Sequence, residues 1–203
     1  MQQSVEAGGG RARERILRAA RRMFYERGIR AVGVEAIVSA AGVTKMSLYR
    51  HFASKDELVA ACLAERIESY WRKWDDCIAP HPGDPGARIL ALLDWLGHRS
   101  TEPGFRGCPM TNAAVEFPEP DHPGRKLAET HKHELRQRLL TLATEAGARE
   151  AETLADGLLL LFEGSYASSQ TFGADGPARA AVSIGRSLLE AHGCGGMERP
   201  RLG

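Results

Sequence analysis

The stretch Val34-Glu-Ala-Ile-Val-Ser-Ala-Ala-Gly-Val-Thr-Lys-Met-Ser-Leu-Tyr-Arg-His-Phe-Ala-Ser-Lys55 constrains the fold more than any other part of the chain. Its apolar residues recur at helical spacing on both sides of one glycine, a pattern that two short helices joined by a tight turn satisfy. Ile37, Val38 and Ala41 form the apolar face of the first helix. Gly42 stands where the backbone must leave that helix with positive φ, which glycine does without a Cβ clash. Val43 plugs the corner, Thr44 is placed as an N-cap, and Leu48 and Phe52 turn inward four residues apart. Lys45, Ser47, Tyr49, Arg50 and His51 are expected on the outer face. Hydroxyls and cations on a short exposed helix suit a groove of duplex DNA, where they meet phosphates and base edges.

Charge is divided along the chain in a way that supports such a partner. Residues 1–60 hold 11 Lys and Arg against 6 Asp and Glu, a balance of +5, which leaves −4 for the remainder of a chain whose net charge is +1. A basic N-terminal part on an acidic body fits a polyanion-binding head. A length of 203 residues accommodates two unequal domains. The chain has neither an apolar run of about 18 residues nor a secretory leader, so a cytoplasmic protein without membrane contact is expected.

Around the central stretch the pattern is helical throughout, with no alternating strand pattern. Residues 1–10 read as a flexible arm, and Ile16, Leu17, Ala20, Met23 and Phe24 mark a helix from Arg11 to Arg27 that stops at Gly28. Ser54 caps a long helix with Asp56 and Glu57 in its first turn, running to about Cys77. Asp84-Pro85 begins another in the preferred cap-then-proline order. A short helix is expected from Pro109 and a long one over Lys126–Ala146. A further helix begins at Glu150 or Glu152, and the last is capped by Asp175-Gly-Pro177. The expected partition is a DNA-binding domain over 11–54, a ligand-binding and dimerisation domain over 55–193, and a flexible tail over 194–203.

The order Ala-Ala-Gly-Val-Thr…Leu-Tyr-Arg-His-Phe-x-x-Lys-x-x-Leu, residues 40–58, resembles the DNA-binding signature of the TetR (tetracycline repressor) family of transcription factors. The resemblance covers about 50 residues, from the first helix to the start of the long one. It implies an all-α homodimer with an N-terminal three-helix helix-turn-helix domain and a larger C-terminal helical domain for effector and dimer contacts. It further implies DNA contacts through Thr44, Lys45, Ser47, Leu48, Tyr49, Arg50 and His51, with Lys55 on a phosphate at a helix N-terminus. The run Gly-Cys-Pro-x-x-Asn-Ala-Ala-x-Glu-Phe, residues 107–117, is similar to one subgroup in which this segment lines the effector cavity. Cys108, Met110, Asn112 and Glu116 are candidates on that ground.

The remaining effector candidates are the large aromatic residues of the body: Trp71, Trp74, Trp95, Phe105, Phe162 and Tyr166. Their character points to an apolar or aromatic small molecule with few hydrogen bonds. Leu158, Phe162, Ser165, Ser169, Ala181, Val182, Gly185, Leu188 and Leu189 are the dimer candidates, being apolar or small at helical spacing. Two other readings stand beside the effector-released repressor: a thiol sensor using Cys108 ahead of a helix start, and a helical protein-binding scaffold without DNA affinity. No metal or cofactor is expected, since the four cysteines form no C-x-x-C pair and His131 and His133 point about 200° apart on a helix. No G-x-S-x-G, phosphate-binding glycine loop or H-E-x-x-H suggests an enzyme.

Overall fold

The computed structural model describes residues 2–194, with side chains from Gly10 onward, so the expected tail lies outside the described residues except for Cys194. Among them are nine α-helices and no strand: α1 Gln2–Arg27, α2 Val34–Ala41, α3 Lys45–His51, α4 Lys55–Ile78, α5 Pro85–Thr101, α6 Pro109–Glu116, α7 Pro123–Glu145, α8 Ala151–Phe172 and α9 Ala181–Ala191. The all-helical expectation holds. No helix of the described residues is long and apolar enough to cross a membrane.

The chain divides into two compact units. One comprises the residues up to Ser69 with Pro109–Thr130, the other Tyr70–Cys108 with His131 onward. Helices α4 and α7 each carry residues of both units. The first unit is built where α1 packs on α2 and α3. Ile16, Leu17, Met23 and Phe24 of α1, Ile37 and Val38 of α2 and Leu48 of α3 are all buried, each fully buried large side chain stabilising by roughly 1.5–3 kcal/mol. Ser54 Oγ accepts from the Glu57 N–H at 3.0 Å while the Glu57 carboxylate accepts from the Ala53 N–H at 2.6 Å. This reciprocal pair fixes the start of α4.

In the second unit α5, α8 and α9 pack on one another. Asp84 caps α5 as its sequence predicts, accepting from the Ala87 N–H at 2.8 Å. Gly185 permits the close approach of α9 to α5: a Cβ there would stand 2.0 Å from Leu93 Cδ1. Three boundaries differ from expectation, the first being α7, which starts at Pro123 rather than Lys126. Pro177 opens a 3-10 turn, Pro177–Ala180, following another at Gly173–Asp175, and the last α-helix begins only at Ala181. At the other end α1 continues back through the glycines to Gln2, because extending an existing helix costs far less than nucleating one.

Candidate functional site

The turn between α2 and α3 has the predicted geometry. Gly42 adopts φ 61° and ψ 43°, and its N–H and that of Val43 return to the carbonyls of Ser39 and Val38. Arg15 of α1 donates to the Gly42 carbonyl at 3.3 Å, tying the turn to the first helix. Thr44 Oγ1 accepts from the Ser47 N–H at 3.1 Å and caps α3.

The two sides of α3 follow from about 100° of rotation per residue. Lys45, Met46, Tyr49 and Arg50 share the exposed arc, and Ser47, Leu48 and Phe52 the buried one, with His51 half-buried between. Two expectations are therefore corrected: Leu48 has no exposed surface, and Ser47, its N–H already held by Thr44, faces the core rather than solvent. Met46 takes their place. It is 76% exposed, on the same arc as Lys45 before it and Tyr49 three residues on.

The two lysines beside α3 are engaged. Lys45 Nζ lies 2.6 Å from Glu35 Oε1, and this hydrogen bond and the opposite charge raise the lysine pKa. Lys55, expected on a phosphate, donates instead to the Ile29 carbonyl at 2.6 Å and sits half-buried with its ammonium over the Phe24 ring. Burial lowers its pKa, while Asp56 and Glu116 push it back up.

Glu116 accounts for the last of these neighbours, and its position is a second correction. Its carboxylate accepts from the Ile29 N–H at 2.9 Å and the Arg30 N–H at 2.7 Å. It is a clamp on the loop between α1 and α2, with both oxygens taken, not a cavity-lining group. Its surroundings extend the clamp: Arg30 stacks 5.4 Å from the Phe117 centroid, Phe117 stacks on His122 at 3.7 Å, and His122 Nε2 lies 3.5 Å from Asp56. Two other expected effector residues, Met110 and Asn112, belong to the same α6 and the same unit, Met110 in its core.

The other seven effector candidates lie in the second unit, and there the structure gathers them. Trp71 and Trp95 each contact Tyr70, with centroids 5.0 and 5.2 Å away, Trp74 contacts Trp71 at 5.7 Å, and Phe162 contacts Trp74 at 6.5 Å. Phe105 pairs with Tyr166 at 5.5 Å. Cys108 Sγ lies 3.3 Å from the Lys132 ammonium, which also pairs with Glu163. Trp74 and Phe162 are themselves wholly buried core.

Sequence reasoning missed Tyr70, His131, Lys132 and Glu163. The His131 ring meets Tyr70 at 4.9 Å and Trp71 at 5.0 Å. Burial, then Lys132 and Arg138, lower its pKa to about 4, so the imidazole is neutral. Burial raises the Tyr70 phenol well above its ordinary range, with Tyr166 and Cys108 adding to it. Tyr70 Oη, Trp71 Nε1 and His131 Nδ1 are buried without a hydrogen-bond partner.

Seven of the nine expected dimer residues are corrected, while Val182 and Leu188 keep part of their surface. Leu158, Phe162, Ser165, Ser169, Ala181, Gly185 and Leu189 are buried within the single chain, with Val182 and Leu188 half-buried. Residues enclosed by their own chain have little surface left for a second copy. The opposite sides of α8 and α9 expose Leu160 at 71% and Ile184 at 45%, with Gly164, Ala167 and Ser187 as their exposed small neighbours.

Comparison with known proteins bears on the chain as a whole. Residues 16–62 match the family described as bacterial regulatory proteins, tetR family. The HTH-type transcriptional regulator LmrA of Bacillus subtilis is 31% identical over 160 residues, 74% of this chain and 83% of that protein. A solved TetR-family transcriptional regulator from Streptomyces coelicolor superposes with a TM-score of 0.86 at 27% identity, covering 90% of this chain and 96% of the other. A putative regulator of the same kind from Streptomyces avermitilis gives 0.80 at 34% identity, covering 89% and 97%.

Proposed function

Because the chain belongs to the TetR family and is a DNA-binding transcriptional regulator, we propose that it is a homodimeric repressor, released from a palindromic operator by a small aromatic effector. The observation that carries the DNA-facing half is the exposed arc of α3, where Lys45, Met46, Tyr49 and Arg50 stand together on a helix whose other side is core. Lys45 and Arg50 reach base edges, a bidentate contact to guanine supplying about 1–3 kcal/mol of discrimination. Tyr49, His51 and Lys55 position the protein on phosphates, Lys55 after leaving the Ile29 carbonyl.

The second copy packs on the outer sides of α8 and α9, where Leu160 and Ile184 stand exposed beside small residues that admit a close helix approach. A two-fold pair of α3 helices then reads half-sites one turn of DNA apart, roughly 34–36 Å. The effector binds among the aromatic side chains around Trp71 and Tyr70, and acts through differential affinity for two arrangements, about 1–3 kcal/mol of coupling. Helix α4 is the carrier, since Lys55 lies in its first turn and Trp71 and Trp74 in its later ones.

The deciding experiment is a gel shift on the upstream DNA of its own gene against a scrambled duplex, over a range of salt. Lys45→Ala is expected to relax sequence preference, whereas Lys55→Ala weakens all sequences alike and flattens the salt slope. Equal loss of preference in both variants contradicts these roles.

A second reading has one specific observation in its favour, the Lys132 ammonium 3.3 Å from Cys108 Sγ. Electrophile sensing would be carried by this thiol, which lies against a cation that is also paired with Glu163. Alkylation with N-ethylmaleimide that releases DNA from the parent protein but not from Cys108→Ser supports it. Equal behaviour of the two removes it.

A further inference from the structure

Three polar atoms in the second unit are buried on rings that touch one another, yet have no partner: Trp71 Nε1, Tyr70 Oη and His131 Nδ1. Buried polar groups without partners are rare in native proteins and mark the place of a bound water or ligand. The three rings meet edge-on or tilted, Tyr70 at 80° to Trp71 and 86° to His131, and Trp71 at 48° to His131. The chain therefore presents aromatic surface and unmet polar atoms in one small region.

The identity of those atoms restricts what can complete them. An indole N–H is a donor and nothing else, so Trp71 requires an acceptor. The Tyr70 phenol stays protonated through burial, and its hydroxyl, near that of Tyr166 but without a hydrogen bond of normal geometry to it, supplies a second donor. The His131 imidazole, 3% exposed and held neutral, brings no charge. The full charges nearby are already matched. Lys132 is paired with Glu163, and Arg138 lies 4.0 Å over the Trp71 face while bonding Glu134 and reaching Asp75 at 3.5 Å. A charged ligand would lose its hydration here without gaining a free counter-ion.

We infer that the effector is a neutral, flat aromatic compound bearing a hydrogen-bond acceptor oxygen, such as an aryl ketone, whose oxygen meets Trp71 and Tyr70 and whose rings lie against the Trp71, Tyr70 and His131 side chains. This inference rests on the reading that the second unit binds a small effector. It departs from a purely apolar ligand by making the oxygen the recognised feature. A site whose buried donors are left unpaired by an analogue rejects that analogue more strongly than an apolar pocket rejects a missing methylene.

The test uses pairs of compounds that differ by one oxygen: 9-fluorenone with fluorene, and xanthone with xanthene, with fluorene-9-carboxylate as the charged arm. Binding to the full-length protein is measured by equilibrium dialysis, and DNA release by gel shift. Each ketone is expected to bind about tenfold tighter than its hydrocarbon. That ratio falls to about two in Trp71→Phe, which keeps a ring and removes the donor, and falls likewise in Tyr70→Phe, with thermal melts confirming that both variants fold. Equal binding within both pairs, a ratio unchanged in both variants, or tightest binding by the carboxylate overturns the inference. The two readings fail differently. Hydrocarbons that release DNA as well as ketones do sink the oxygen requirement and leave the effector reading standing, whereas no binding by any compound sinks both.

Discussion

Replacing Glu116 by alanine removes two charge-assisted hydrogen bonds at once, to the backbone N–H groups of Ile29 and Arg30. Bonds of this kind contribute about 1.5–3 kcal/mol each when buried, but the two are not equal here. The Arg30 N–H is exposed, so water replaces the carboxylate at little cost. The Ile29 N–H is partly buried and is left short of a partner, which costs the larger share. The net loss expected is about 2 kcal/mol, or about 4–8 °C in Tm for a chain of this length. Lys55 holds the carbonyl of the same Ile29 and feels the Glu116 charge, so the two side chains act on one loop from opposite ends of one peptide unit. A double-mutant cycle of Glu116→Ala and Lys55→Met, read by thermal melts in low salt, is expected to give a coupling energy of about 0.5 kcal/mol or more. Operator affinity should fall with stability, because the clamped loop leads directly into α2. A Tm change under about 1 °C together with strict additivity would falsify the clamp and leave Glu116 an ordinary surface carboxylate.

Four other outcomes are expected. The His131 pKa is lowered in the folded chain to about 4 against 6.5 unfolded, so as pH drops the unfolded state takes up a proton first. Stability from the neutral imidazole is complete above about 6.5 and is lost as pH falls toward 4, by up to about 3 kcal/mol. His131→Gln should flatten the pH dependence of Tm in that window, and identical slopes for both proteins refute the assignment. Met46, exposed on the same arc of α3 as Lys45 and Tyr49, should touch a thymine methyl group. Exchanging thymine for deoxyuridine across a selected operator should weaken the parent protein about three- to tenfold at one position and leave Met46→Ala indifferent, and sensitivity in both rules it out. Gly185→Ala, whose new Cβ would meet Leu93 at 2.0 Å, should cost about 1–3 kcal/mol by forcing α9 off α5. Leu160→Arg, on the exposed side of α8, should instead dissociate the dimer with little change in helicity. Sedimentation showing an intact dimer at micromolar concentration overturns that placement.

What the chain order determined by itself was everything that depends on neighbours within a few residues. Gly42 in the left-handed region, the Thr44, Ser54 and Asp84 caps and the helical periods are local chemistry, and all three features could be read before any fold was known. Periodicity alone does not say which side of a helix its own chain covers, and there the tertiary structure decided. Ser47 and Met46 are adjacent, yet packing against α1 and α2 buries one and exposes the other. Along α8 and α9 the apolar and small residues most suited to a subunit contact were taken by α5, leaving Leu160 and Ile184 outside. Glu116 joins a loop 87 residues earlier, and His131 joins rings from α4, contacts that no local pattern contains. A side chain's conformational preference is set by its near neighbours, but its partners are set by which distant surfaces are brought together, and that information exists only once the chain has folded.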